Sequence, residues 1–149
     1  MSFSSLGPID SLRPQDITLQ TGIERVSRFT AQEPLLTDVG GTIAVSVLST
    51  PGMIAMIERN CTILALEHLP VQKATVGFEV CVKHVAAALA GVECEVHSSL
   101  REVVEQRKLR FDVRVCALDG DTDEGRVIGV GTHERRLIDV GEHSRSAGR

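Results

Sequence analysis

The chain has no tryptophan, no tyrosine and only four phenylalanines in 149 residues. Single-stranded nucleic acid is usually held by stacking bases on aromatic side chains, so this composition argues against such a platform. Basic residues are also scarce: 16 Lys and Arg stand against 20 Asp and Glu, and no dense cationic block occurs. The electrostatic footprint of a nucleic-acid binder is therefore missing, and an anionic ligand would have to be met by local charges. Cys61, Cys81, Cys94 and Cys116 form no C-x-x-C pair, and the start of the chain lacks the basic-then-apolar order of a secretory leader. Reduced thiols filling core space in a cytoplasmic protein are expected, with no disulfide, metal site or cofactor. No apolar run approaches the ~20 residues of a membrane helix, so no membrane partner is expected.

What remains is an ordinary globular composition, 42% hydrophobic and 24% charged, enough for one folding unit with an aliphatic core. Residues 1–20 and 140–149 carry no period and read as flexible tails flanking a domain over 21–139. A weak strand is expected from Gly22 to Thr30. An irregular stretch through Pro34, Leu35, Gly40 and Gly41 follows, which reads as a lid or a connection. The run PGMIAMIERNCTILALE, from Pro51 to Glu67, is apolar on nearly every side and too long for a typical strand, so it predicts a buried helix. Thr50 stands where an N-cap belongs, Pro51 suits the first helical position, and His68 and Pro70 close the helix.

Four strands are predicted after it. In the first, Val76, Phe78, Val80, Val82 and His84 share one parity, against Thr75, Glu79 and Lys83, which places His84 on the core face. In the second, Val92, Cys94, Val96 and Leu100 alternate with Glu93, Glu95, His97 and Arg101. The third alternates most regularly, with Leu109, Phe111, Val113, Val115 and Ala117 against Lys108, Arg110, Asp112 and Arg114. Asp119, Gly120, Asp121, Asp123, Glu124 and Gly125 supply turn chemistry before a last strand, RVIGVGTHERRLID, whose Gly129 and Gly131 signal a bulge or a close backbone approach. No crossover helix separates these strands, so a parallel sheet is disfavoured. The pattern is α+β: an antiparallel five-stranded sheet wrapped around one long buried helix, which is the hotdog fold.

Three polar residues break the apolar pattern. Glu58 sits mid-helix with Ile54, Ala55, Cys61 and Thr62 as its neighbours one turn away, where a partly desolvated carboxylate could act as base or nucleophile; alternatively Glu58, Arg59 and Asn60 form the helix's wet stripe. His84 points inward, where an imidazole could carry a proton or simply satisfy a core hydrogen bond. Thr50 offers a hydroxyl beside unpaired N–H groups that suit an oxyanion, or a plain cap. Eight helical positions at 1.5 Å each put Thr50 and Glu58 about 12 Å apart. A site using both therefore requires two chains, with the helix N-terminus of one facing Glu58 of the other, and predicts at least a homodimer.

Thr50-Pro51-Gly52, then Glu58, then GFEVCVKHVAA, then GTHERRLI together resemble the fluoroacetyl-CoA thioesterase family of hotdog proteins, from about Leu48 to Asp139. The resemblance implies acyl-CoA hydrolysis with Thr50, Glu58 and His84 as the catalytic set. It also implies that the Gly77 amide meets the thioester carbonyl and that Arg135 lines the acyl pocket, with His133 and Glu134 as structural parts of the motif. That family's fluoroacetyl-specific enzyme carries a phenylalanine-bearing lid before the helix, whereas PLLTDVGGTIAVSVL here has no aromatic residue. The expected substrate is accordingly a small acyl-CoA, its acyl group held by Val47, Leu48 and Met53. Lys83, Arg110 and Arg114 are surface candidates for the CoA phosphates. A noncatalytic acyl-CoA-binding hotdog protein is the competing class.

Overall fold

A computed structural model describes residues 19–121 and 124–141. The two expected tails fall almost entirely outside these residues, as does Asp123 of the turn. Five strands form one antiparallel sheet: β1 (Glu24–Thr30), β4 (Lys73–His84), β5 (Glu93–Val104), β6 (Lys108–Ala117) and β7 (Arg126–Asp139), in the order β1-β5-β6-β7-β4. A two-residue ladder, β2 (Leu36–Thr37) with β3 (Val47–Leu48), pins the irregular stretch, whose outer part carries the exposed side chains of Val39, Ile43 and Val45. The one α-helix among the described residues, α1 (Thr50–Leu66), lies across the sheet.

Alternation places the core. Cys94, Val96 and Leu100 of β5 and Leu109, Phe111, Val113 and Val115 of β6 are buried against Met53, Ile57, Cys61, Leu64 and Ala65 of α1, while Glu93, Arg101, Asp112 and Arg114 face water. Burying each large aliphatic side chain contributes roughly 1.5–3 kcal/mol, so this interface is the main source of stability. Three cysteines fill core space; Cys81 instead lies exposed on β4, contrary to the expectation for all four. Burial pushes the Cys61 and Cys94 thiols up to about 11, which makes them poor nucleophiles.

Gly131 is required where β7 passes β4, because an added β-carbon would stand 2.1 Å from the Cys81 carbonyl oxygen. The Gly129 position would likewise drive a β-carbon to 2.5 Å from Met53 Sδ. Gly131 thus marks a close backbone approach, while Gly129 faces a side chain and adjoins an irregularity in the β6–β7 register.

β4 departs from its expected parity. Its register with β7 runs from Gly77 opposite Arg135 to Glu79 opposite Glu134, so Phe78 is an extra, bulged residue. A bulge reverses which side chains face inward. Thr75 is therefore buried, whereas Val76 and Phe78 are exposed at 45% and 59%, opposite to the reading of the sequence. Beyond the bulge the expected parity holds, with Val80, Val82 and His84 half-buried and Cys81 and Lys83 exposed.

Leu48 and Met53 belong to the packed core at 1% and 0% exposure, so they cannot line an open acyl pocket; of the three expected residues only Val47 is less than fully buried. Among the described residues no helix is long and apolar enough to cross a membrane.

Candidate active site

The start of α1 sets the first group. Ser49, not Thr50, is the N-cap: its extended backbone turns the chain into the helix and its hydroxyl accepts from the Gly52 N–H at 2.9 Å. Thr50 is the first helical residue and Pro51 the second. With Pro51 lacking an N–H and Gly52 already capped, the first turn offers fewer open donors to an oxyanion than a bare helix terminus would. Relieved of capping, the Thr50 hydroxyl meets His84 Nδ1 at 2.9 Å. Gly52 permits the tight entry, since a β-carbon there would stand 2.6 Å from the Leu35 carbonyl oxygen.

His84 ends β4. Its Nδ1 is held by Thr50, while its Nε2 is buried without a hydrogen-bond partner among the described residues. A buried polar atom left unpaired costs free energy, so Nε2 is open to a hydrogen-bond partner.

The second group lies further along α1. Arg135, 5% exposed, donates from Nε to Thr75 Oγ1 at 2.7 Å, from Nη2 to the Thr75 carbonyl at 3.0 Å and from Nη1 to His133 Nε2 at 3.2 Å. His133 in turn donates from Nδ1 to the Glu79 carbonyl at 2.7 Å, and because its Nε2 accepts from Arg135 the ring is the neutral Nδ1–H tautomer. Burial holds the His133 imidazole below its ordinary value and also weakens the Arg135 guanidinium's hold on its proton, the latter opposed by Glu58. The guanidinium is thus fixed on three sides, with Nη1 3.8 Å from Glu58 Oε2.

Glu58 is half-buried and turned toward this group. Of the other two residues of the expected wet stripe, only Arg59 is exposed. Asn60 is buried, exchanging hydrogen bonds with Arg25 and donating to Ser98 Oγ at 2.8 Å. Gly77 completes the group, because a β-carbon there would stand 3.1 Å from Glu58 Oε2, 3.5 Å from Arg135 Nη1 and 3.8 Å from His133 Cε1. The bulge turns Gly77 onto the inner face of β4, which removes the opposition of parity between it and His84.

The five expected site residues thus fall into two clusters within one chain: Thr50 with His84, and Glu58 with Gly77 and Arg135. Thr75, Ser49 and the positioning part of His133 were not read from the sequence. Thr75 was hidden by the bulge. Glu134 lies away from the site, tied to Arg110 at 3.0 Å and Arg136 at 2.7 Å. Arg110 also bonds Glu102 at 3.0 Å, so it is not an open cation for a phosphate. Lys83 and Arg114 are exposed.

The family model for FlK, the fluoroacetyl-CoA-specific thioesterase, matches residues 32–141. Among solved structures, FlK itself superposes with a TM-score of 0.70 at 24% identity, covering 87% of this chain and 96% of that one. A variant of FlK in complex with fluoroacetate and CoA gives 0.68 at 26% identity, covering 81% and 96%. A thioesterase superfamily member from Thermus thermophilus gives 0.69 at 20% identity, covering 87% and 88%. No curated protein matches the chain. With the match spanning most of the chain and the hotdog sheet and helix in place, the chain belongs to the FlK family of thioesterases and is a thioester-hydrolysing enzyme.

Proposed function

We propose that the chain hydrolyses a small acyl-CoA to the free acid and CoA. Thr50, Glu58 and His84 form the catalytic set, Gly77 and Arg135 bind the acyl thioester, and each active site is shared between two chains of a cytoplasmic homodimer. The observation that carries this reading is the division of the set into two clusters along an edge strand, one at its C-terminal end at His84 and one beside Gly77 nearer its middle. Among the described residues β4 has no neighbour on its outer side, and the midpoint of Gly77 and His84 falls between Val80 and Cys81, so a two-fold axis at that point would set the two residues opposite each other. Antiparallel pairing of β4 with its copy about a two-fold axis would bring His84 of one chain toward the Glu58, Gly77 and Arg135 cluster of the other. The unpaired His84 Nε2 would then face a carboxylate site.

The chemistry follows from the groups. Glu58 takes a proton from water as that oxygen bonds the carbonyl carbon, or itself attacks that carbon and is released by water in a second step. The C–S bond breaks, and His84, held by Thr50 through Nδ1, exchanges the proton needed at sulfur through Nε2. Arg135 holds the carbonyl end by charge and Gly77 by its backbone N–H, in a site where such donors typically contribute a factor of ~10² to 10³ in rate. The aromatic-free segment from Pro34 to Leu48 and the filled core at Leu48 and Met53 favour a small acyl group over fluoroacetyl selectivity.

Free-thiol release from a panel of short, branched and aromatic acyl-CoAs tests this reading. We expect turnover with short acyl groups, reduced by about 10²- to 10⁴-fold in Glu58→Ala and in His84→Ala. Turnover of the wild type that survives both substitutions would overturn the assignment of the set.

A further inference from the structure

The register of β4 against β7 slips at Phe78, immediately after Gly77. A bulge interrupts the ladder and re-aims the chain, so its shape depends on contacts beyond the ladder itself. Here side chains of β7 supply them. Two residues before Gly77, the Thr75 carbonyl accepts from Arg135 Nη2 at 3.0 Å; two residues after it, the Glu79 carbonyl accepts from His133 Nδ1 at 2.7 Å. The two side chains are themselves joined, Arg135 Nη1 donating to His133 Nε2 at 3.2 Å. They form a bracket under residues 75–79, with Gly77 at its centre.

The His133 end of this bracket is the stiffer one. The imidazole is buried, and Phe111 of β6 stacks on it with ring centroids 6.4 Å apart. A neutral imidazole has one donor and one acceptor, and both are used: the donor on the Glu79 carbonyl, the acceptor on Arg135. Burial favours that neutral form, since a second proton would set an Nε2–H against the guanidinium's own N–H. The ring also reaches Gly77 directly, its Cε1 lying 3.8 Å from where a β-carbon there would stand. Without His133, Arg135 would still keep its two bonds to Thr75, so loss of the imidazole falls first on the Glu79 side of the bulge.

We propose that His133 is a positioning residue for hydrolysis: through its hydrogen bond to the Glu79 carbonyl it sets the β4 bulge, and with it the direction of the Gly77 backbone N–H that meets the thioester carbonyl. The proposal rests on the acyl-CoA thioesterase reading. His133 acts through Gly77 and not on the substrate. An oxyanion donor works by being aimed at the place where charge develops, and a misplacement of about 1 Å can cost ~10²-fold in rate.

Two variants divide the imidazole's two bonds. Asparagine puts an amide N–H near the Nδ1 position and nothing at Nε2, whereas glutamine puts an acceptor near Nε2 and no donor near Nδ1. His133→Gln should lower kcat about tenfold or more with KM changed less than about twofold, because a contact made only in the transition state is lost from kcat and kcat/KM alike. His133→Asn, which keeps the bond to Glu79, should restore kcat to within about threefold of the wild type. The backbone amide resonance of Gly77, read by NMR without substrate, should shift or broaden in His133→Gln and hold its place in His133→Asn. Wild-type kcat in His133→Gln would overturn the proposal. So would a Gly77 resonance unchanged in that variant, or equal losses of kcat in the two variants that follow their melting temperatures, the mark of a merely structural role. If the wild type releases no thiol from any acyl-CoA, the thioesterase reading fails by itself, and the Gly77 resonance still decides whether His133 sets the bulge.

Discussion

At the scale of single residues, Arg135 and Gly77 define how closely the second cluster is built. Three hydrogen bonds hold the guanidinium, and Gly77 leaves the space into which the Glu58 carboxylate leans. Gly77→Ala places a methyl group 3.1 Å from Glu58 Oε2, the end of a side chain that can move by a few tenths of an ångström. The substitution should therefore change stability by less than about 1 kcal/mol while lowering kcat/KM at least ~10-fold, a split read by thermal melting beside thiol release. His133 makes a pH prediction. Its folded imidazole stays neutral below the ordinary value of 6.5, so as pH falls through that value the unfolded chain takes up a proton that the folded chain refuses. Stability then declines with acidity, because protonation of the unfolded state draws the equilibrium toward it. The melting temperature should drop between pH 7 and pH 5 more steeply in the wild type than in His133→Gln, and equal slopes would contradict this.

At the scale of elements, the helix start and the β4 bulge decide the site. Ser49→Ala removes the cap that leaves Thr50 free to meet His84, and should cost about 1 kcal/mol of stability and reduce turnover as well, both measurable on one preparation. Much of the fold was legible in the sequence, because long periods are robust: the apolar run of α1 and the alternation of β5 and β6 both fix faces over ten or more residues. The errors sit where one residue matters. Ser49 and Thr50 are equally able to cap, so the cap was placed one position late, and the same shift moved Pro51 from the second helical position to the first. Phe78 adds one residue to β4, which inverted Val76, Phe78 and Thr75 while leaving Val80, Val82 and His84 correct. Asn60 was invisible for another reason, since its partners Arg25 and Ser98 are 35 and 38 positions away and only the folded chain brings them together. For the candidate site itself, breaks in the apolar pattern singled out Thr50, Glu58 and His84, the family resemblance implied Gly77 and Arg135, and only the folded chain gave the hydrogen bonds of Thr75 and His133 that orient Arg135.

At the scale of the whole molecule, one chain carries two separate clusters. Among the described residues β4 has no neighbour on its outer side, and such an edge favours strand pairing unless another chain covers it. The helix rise of about 12 Å between Thr50 and Glu58 prevents a regular helix from joining them in one site, so a site that uses both must be shared between chains. Subunit complementation tests this most directly. Glu58→Ala and His84→Ala homodimers, each inactive, are mixed, unfolded and refolded together, and assayed for thiol release. If each site takes Thr50 and His84 from one chain and Glu58 from the other, half of the refolded dimers are mixed and each contains one intact site, so about a quarter of wild-type activity returns. Wild-type dimers treated in parallel must regain activity, and size exclusion must show that the variants reassociate. No recovered activity under those conditions would contradict a shared site and place the catalytic set within a single chain.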